Sequence, residues 1–186
     1  MPHDRPFGGA PSPEASPTSW IQLHTERMTL VRPTPGDLEA LCTMDQDPRT
    51  MEMLLGVRGR DQTAAMLDRV MAHWDTHGFG WWMVRDRETG AFLGRGGLRR
   101  VEFAGQSEVE VSYGFHAHHW GKGLATELAR ASIRLGFEEL GASSILSFTL
   151  PQNAASRRVM EKCGLVYQGR EMWSGIEHVF YRVRLP

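Results

Sequence analysis

The stretch Tyr113-Gly-Phe-His-Ala-His-His-Trp-Gly-Lys-Gly-Leu-Ala-Thr126 carries the chain from a strand, through a loop and two glycines, into a helix. Before it, Glu108, Glu110 and Ser112 alternate with Val109, Val111 and Tyr113, so Glu108 to Phe115 reads as a strand with one polar and one apolar face. After it, Leu124, Leu128, Ala131 and Leu135 recur at helical spacing and predict an amphipathic helix from about Gly123 to Glu139, closed by Gly141. Such a junction presents unpaired backbone N–H groups at the positive end of a helix, which suits a phosphate or pyrophosphate. Gly121 and Gly123 would let backbone approach the anion closely, although glycines at a helix start also serve ordinary turn chemistry. Two nucleotide loops are excluded. A Walker A loop requires glycine where His116 stands and Ser or Thr where Gly123 stands, and the third glycine of the dinucleotide fingerprint would fall on Thr126.

Working outward, Met28-Thr-Leu-Val31 reads as a strand stopped by Pro33 and Pro35, and Asp37 can open a helix over Leu38, Leu41, Cys42 and Met44 that ends by Pro48. Leu67, Val70, Met71 and Trp74 mark a second helix, ended by Gly78 and Gly80. Trp81 to Arg87 and Phe92 to Val101 read as a hairpin that the strand at Glu108 continues into a three-strand meander. Past the long helix come a short strand, Ser144 to Leu150, then a short helix, Ala154 to Lys162, capped by Asn153, and a hairpin of Val166 to Trp173 and His178 to Leu185. This order of strands and helices makes an α+β layer structure. Residues 1–19 hold five prolines and few aliphatics, and are expected to form a disordered tail ahead of one domain over residues 20–186.

Composition narrows the class of function. With 186 residues, 41% of them hydrophobic, and a net charge of −1, the chain suits one globular domain and lacks the basic excess of a nucleic-acid coat. No apolar run approaches the roughly 20 residues that span a bilayer, and no signal peptide is visible, so a soluble, cytoplasmic protein is expected. Cys42 and Cys163, outside any CxxC, support neither a disulfide scaffold nor a thiolate metal site.

The loop His118-His119-Trp120-Gly121-Lys122-Gly123 resembles the pyrophosphate loop of the GNAT acetyltransferases, (Gln/Arg)-x-x-Gly-x-(Gly/Ala), with His118 in place of the usual first residue. Leu23-His-Thr-Glu-Arg-Met-Thr-Leu-Val-Arg32, Trp120-Gly-Lys-Gly-Leu-Ala-Thr-Glu127 and Asn153-Ala-Ala-Ser-Arg-Arg-Val-Met-Glu-Lys-Cys-Gly164 look like the ribosomal-protein N-terminal acetyltransferase (RimJ/RimL-like) branch. The resemblance implies a GNAT fold: a mixed, mostly antiparallel sheet of about six to seven strands, flanked by about four helices and splayed between its fourth and fifth strands. It also implies acetyl-CoA as cosubstrate, no metal, an amine acceptor, and a monomer or homodimer. Tyr113, Gly114 and Phe115 would then offer backbone to the pantetheine arm. His118, His119, Trp120, Gly121, Lys122, Gly123, Leu124, Ala125 and Thr126 would hold the pyrophosphate, and Asn153 would reach a pantetheine amide besides capping its helix.

Acetyl transfer to an amine requires a proton acceptor for the amine and a proton donor for the departing sulfur. Glu110 matches the family position of the first, with Glu108 on the same face in reserve. The tyrosine that many relatives use as the second is replaced by Met160, so Ser156, which occupies the serine position of the RimJ/RimL-like branch, becomes the candidate. Of His116, His118 and His119, alternation on an extended segment could bring His116 and His118 together, but no third metal ligand is identifiable by spacing. Arg157 and Arg158 suit either the 3′-phosphate of CoA or a solvated face. The acceptor, a protein N-terminus or a small amine, would be chosen by the loop from Pro48 to Asp61 and by the last hairpin, where Trp173 lies. A CoA-binding domain without turnover is the alternative reading.

Overall fold

Alternating apolar residues build the strands and 3.6-residue stripes the helices in a computed structural model that describes residues 20–185; the tail expected over residues 1–19 lies outside the described residues. The elements are β1 (Gln22–His24), β2 (Met28–Val31), α1 (Leu38–Asp45), α2 (Pro48–Met51), α3 (Arg60–His77), β3 (Trp81–Asp86), β4 (Phe92–Phe103), β5 (Gln106–Phe115), α4 (Leu124–Glu138), β6 (Ser144–Thr149), α5 (Ala154–Lys162), β7 (Val166–Trp173) and β8 (Ile176–Arg184). Eight strands form one sheet in the order β1-β2-β3-β4-β5-β6-β8-β7. The strand beyond the expected six or seven is β1, three residues long and too short to show a period, which exists by pairing with β2 from Gln22↔Val31 to His24↔Thr29. The helix beyond the expected four is α2, started inside the expected loop by Pro48 and by Asp47, whose Oδ1 accepts Arg49 N–H at 3.1 Å.

Every neighbouring pair is antiparallel except β5 and β6, which run parallel and share a single register pair, Glu110↔Leu146. β5 is held along its whole length by β4, from Gly94↔Phe115 to Phe103↔Gln106, and β6 by β8, from Ser144↔Arg184 to Thr149↔Val179. The sheet is therefore two well-paired halves that meet at one point and separate beyond it, which is the expected splay; with β1 counted, it falls between the fifth and sixth strands.

Apolar packing joins the halves where strand hydrogen bonds do not. Leu128 and Ala129 of α4 are buried in one cluster with Leu98, Val109 and Val111 from the first half and Ile145, Val179 and Tyr181 from the second. Gly136 brings α4 down onto both. A Cβ there would lie 2.6 Å from Ile145 Cδ1 and 3.0 Å from Leu98 Cδ1. A second tie fastens α3 to β4: His73 Nδ1–H donates to Phe79 O at 2.9 Å while Nε2 accepts Arg100 N–H at 2.9 Å, an arrangement open only to the neutral ring. Burial holds its pKa below the ordinary histidine value.

Two outcomes are expected. Gly136→Leu overpacks the α4–sheet contact and should cost about 1–3 kcal/mol, read as a lower urea midpoint. For His73 the unfolded chain binds a proton that the folded chain refuses, so stability present above the unfolded pKa falls as pH drops below about 6.5. Denaturant titrations of the parent at about pH 7.5 and about pH 5.5 should show that loss, and His73→Gln should reduce the difference between the two.

Candidate active site

The splay leaves the β6-facing edge of β5 beyond Glu110 without a strand partner and aims it at the loop that starts α4. Gly121 (φ 76°) and Gly123 (φ 81°) are both left-handed, a conformation that side chains resist, so the turn into α4 depends on glycine at these two places. The first N–H to join the helix ladder belongs to Glu127, on Gly123 O at 3.1 Å. The amides of residues 121–126 ahead of it have no acceptor among the described residues. Trp120 lies 46% exposed on the rim, its indole N–H bound to Phe115 O at 2.8 Å.

A residue that local patterning does not single out fixes this loop. Arg27 donates from Nη1 to Lys122 O at 2.7 Å and from Nε to Glu127 Oε2 at 2.7 Å, while its own N–H donates to Glu127 Oε1 at 2.9 Å. The arginine sits on the turn before β2, about a hundred residues from its partners, and no helical or strand period reveals such a contact.

Across the slot, Asn153 caps α5 with Oδ1 on Ser156 N–H at 3.1 Å, and one Nδ2–H goes to Thr149 Oγ1 at 3.0 Å. Tyr113, expected to contribute only backbone, reaches α5 with its side chain: the phenol oxygen lies 3.1 Å from Ser156 O and 3.2 Å from Ser156 Oγ. Burial pushes the phenol pKa up, so it stays a neutral O–H donor, and with that hydrogen on the Ser156 carbonyl the serine hydroxyl is held in place. Met160, at the position of the missing tyrosine, is buried in the core.

On the opposite face of β5, Glu110 is 2% exposed, and Oε2 accepts Arg99 Nε–H from the directly opposing strand position. Its Oε1 receives no hydrogen bond from any described residue. Glu108 is bound at both oxygens by Arg182, at 2.9 and 2.6 Å, which leaves it a structural partner of β8. Glu110 stands at the last shared position of β5 and β6, where the slot opens.

The histidines form a short stack, with His116 and His118 rings 5.2 Å apart and His118 and His119 rings 4.0 Å apart. Burial lowers the pKa of both His116 and His119. Among the described residues no three His, Cys, Asp or Glu side chains gather as a metal site. Arg157 turns inward, its Nε donating to Tyr181 OH at 3.0 Å, whereas Arg158 is exposed.

Comparison with known proteins agrees with this architecture. Residues 27–166 match the acetyltransferase (GNAT) domain family. The chain is 32% identical over 163 residues to the FsC-acetyl coenzyme A-N(2)-transacetylase of Aspergillus fumigatus, an alignment covering 83% of this chain and 67% of that protein. An acetyltransferase from Agrobacterium tumefaciens superposes with a TM-score of 0.79 at 26% identity, over 99% of this chain and 100% of the other. The ribosomal-protein-S5-alanine acetyltransferase of Vibrio fischeri, at 14% identity and a TM-score of 0.68 over 88% and 96% of the two chains, shares the fold. The matched family, the single-point β5–β6 junction and the glycine-gated start of α4 lead to one assignment: the chain belongs to the GNAT family of acetyl-CoA-dependent N-acetyltransferases.

Proposed function

We propose that the protein acetylates a primary amine, either a protein N-terminal α-amine or the amine of a small molecule, by direct attack within a ternary complex. One observation carries this reading: an unpartnered strand edge leads from a buried, oriented carboxylate, Glu110, to a run of unpaired amides at residues 121–126. Those amides, with the α4 dipole behind them, suit the pyrophosphate of acetyl-CoA. Tyr113 to Phe115 would pair with the pantetheine arm as an added strand does, and the remaining Nδ2 hydrogen of Asn153 is available to an amide carbonyl on the other lip. Similarity to the FsC-acetyl coenzyme A-N(2)-transacetylase supports acetyl-CoA as donor and a nitrogen as the acetylated atom. The unpaired thiols of Cys42 and Cys163 are in keeping with a reducing, cytoplasmic setting.

Bound acetyl-CoA supplies the acyl group as an activated thioester. Glu110 Oε1 takes the proton that an ammonium must lose before its nitrogen can attack. An N–C bond then forms as the C–S bond breaks, and the second proton leaving nitrogen is matched by one delivered to sulfur. Ser156 Oγ would lie beside that sulfur, and its hydrogen, held on the Tyr113 phenol oxygen before reaction, would turn to the sulfur. No covalent acyl-enzyme is needed, since the amine is itself the nucleophile.

The test is CoA release and intact-mass detection of the product with a panel of primary amines. Glu110→Gln keeps the shape of the side chain and should lower kcat by about a hundredfold. Ser156→Ala should lower kcat by about tenfold while the acetyl-CoA-induced rise in Tm is unchanged. Arg27→Ala releases the Lys122 carbonyl and should weaken acetyl-CoA by about tenfold in Kd with little change in kcat. A protein that binds acetyl-CoA but acetylates no amine would instead be a CoA-binding domain.

A further inference from the structure

The acceptor side of β5 carries more positive charge and more indole than proton removal requires. Arg99 projects from β4 on the same face as Glu110, its directly opposed partner. Two tryptophans from opposite sides of the sheet converge on its guanidinium: Trp81 of β3, with its ring centroid 4.8 Å away, and Trp173 at the end of β7, at 5.6 Å. Trp173 reaches it by leaning over β6, where it packs on Phe148 at 4.8 Å. The two indole faces stabilise the cation and limit the directions its planar fork can take.

Only one edge of that fork is used. Nε donates to Glu110 Oε2, whereas Nη1 and Nη2 have no acceptor among the described residues, and the side chain remains 26% exposed. Neighbouring charges are already matched. Arg95, on the same strand face, gives Nη2 to Asp45 at 2.8 Å, and Arg182 binds Glu108 through both terminal nitrogens. Along this face Arg99 is the guanidinium with both terminal nitrogens unpaired among the described residues, whereas Arg95 spends Nη2 on Asp45 and buries Nε without an acceptor; Glu110 Oε1 is an acceptor open beside Arg99. The indole N–H of Trp81 is also buried without an acceptor, leaving one more neutral donor at the same wall.

We infer that this pair is a receptor for a zwitterion: the acceptor is a small amine carrying a carboxylate one to three carbons from its nitrogen. The ammonium docks on Glu110 Oε1, which is also the base in the proposed reaction, and the carboxylate takes the Nη1 and Nη2 donors of Arg99. A carboxylate laid across a fixed guanidinium fork forms charge-assisted bonds worth more than neutral ones, and the four alternating charges leave the buried site neutral overall. Acetylation removes the positive charge from nitrogen and so removes the attraction to Glu110, which favours product release. The amine of a protein N-terminus has its neighbouring carbonyl locked in an amide and cannot satisfy Arg99 in this way.

This inference rests on the acetyltransfer reading, and the experiment separates the two. Acetyl-CoA-dependent CoA release is measured for the full-length protein with a set of L-α-amino acids and β-alanine, with the primary amide of each, and with the corresponding N-terminal dipeptides. The free acids should have kcat/KM at least about tenfold above their amides and dipeptides. Arg99→Lys, which keeps the charge but not the fork, should shrink that ratio, and Arg99→Gln should bring it near one, with the acetyl-CoA-induced rise in Tm retained in both. Equal use of acids and amides by the parent protein, preference for the peptides, or an acid preference that survives in Arg99→Gln would each overturn the zwitterion receptor while leaving acetyl transfer standing. Acetylation of none of these compounds overturns it too; if the wider amine panel also fails, the acetyltransfer reading falls with it. The parent's own discrimination reads out even if a variant at Arg99 folds poorly.

Discussion

The proposed site depends on β5 and β6 being neighbours at one residue pair and nowhere else. Parallel strands fed by a crossover helix would ordinarily pair along their length. Here each is already satisfied on its outer side, β5 by β4 and β6 by β8, and α4 rather than a hydrogen-bond ladder supplies the cohesion between halves. That substitution has an energetic logic: buried apolar contacts are non-directional, so they can hold two half-sheets together while tolerating a gap between the strands. A ladder could not. The unpaired backbone edge is the cost of the gap, and a ligand with amides of its own can satisfy it.

The two lips of the gap differ in chemistry because the sheet has two faces. Tyr113 points toward α4 and α5 and meets Ser156; Glu110, three residues earlier, points the other way and meets Arg99. Odd and even positions of a single strand thus carry a neutral hydroxyl pair on one side and a charged pair on the other. The proton donor and the proton acceptor of a transfer reaction must not neutralise one another. In the proposed reaction, opposite faces of β5, with the slot between, keep the two apart without any intervening wall.

Much of this was legible in the sequence, for reasons that can be assigned. The strand-loop-helix junction is local: the alternation before Phe115, the glycines at 121 and 123, and the stripe after Leu124 each act within a few residues, and Asn153 caps α5 as its place before the helix suggests, whereas Ser156 was singled out only by the family resemblance. Arg99 was not legible because the β4–β5 register was open. Ending one strand at Val101 and starting the next at Glu108 leaves several pairings possible, whereas the structure extends both to Phe103↔Gln106 through a turn at Ala104 and Gly105, both with positive φ. A turn of that kind is announced by Asn-Gly or Gly-Gly; Ala104 in a left-handed conformation is disfavoured and gives no warning. With the turn fixed, Arg99 opposite Glu110 follows from arithmetic alone. The clasp of Arg27 on Lys122 and Glu127 has no such route, since it joins segments about a hundred residues apart that sequence periodicity cannot bring together.

The ion pair that defines the acceptor side also constrains how Glu110 can work. A carboxylate buried without a cation would be costly to ionise, and a neutral carboxyl cannot accept a proton from an ammonium. A carboxylate gripped on both oxygens, as Glu108 is by Arg182, leaves neither oxygen free of a protein donor. Glu110 falls between these cases: Arg99 holds Oε2, while Oε1 stays open. The single-edge contact is therefore what suits Glu110 to the proposed role of base and sets it apart from the structural salt bridge two residues away on the same strand. In the proposed reaction the indoles would then serve the chemistry as well as acceptor recognition. By restricting Arg99 to one orientation they keep its remaining donors from rotating onto Oε1, which would turn Glu110 into a second Glu108.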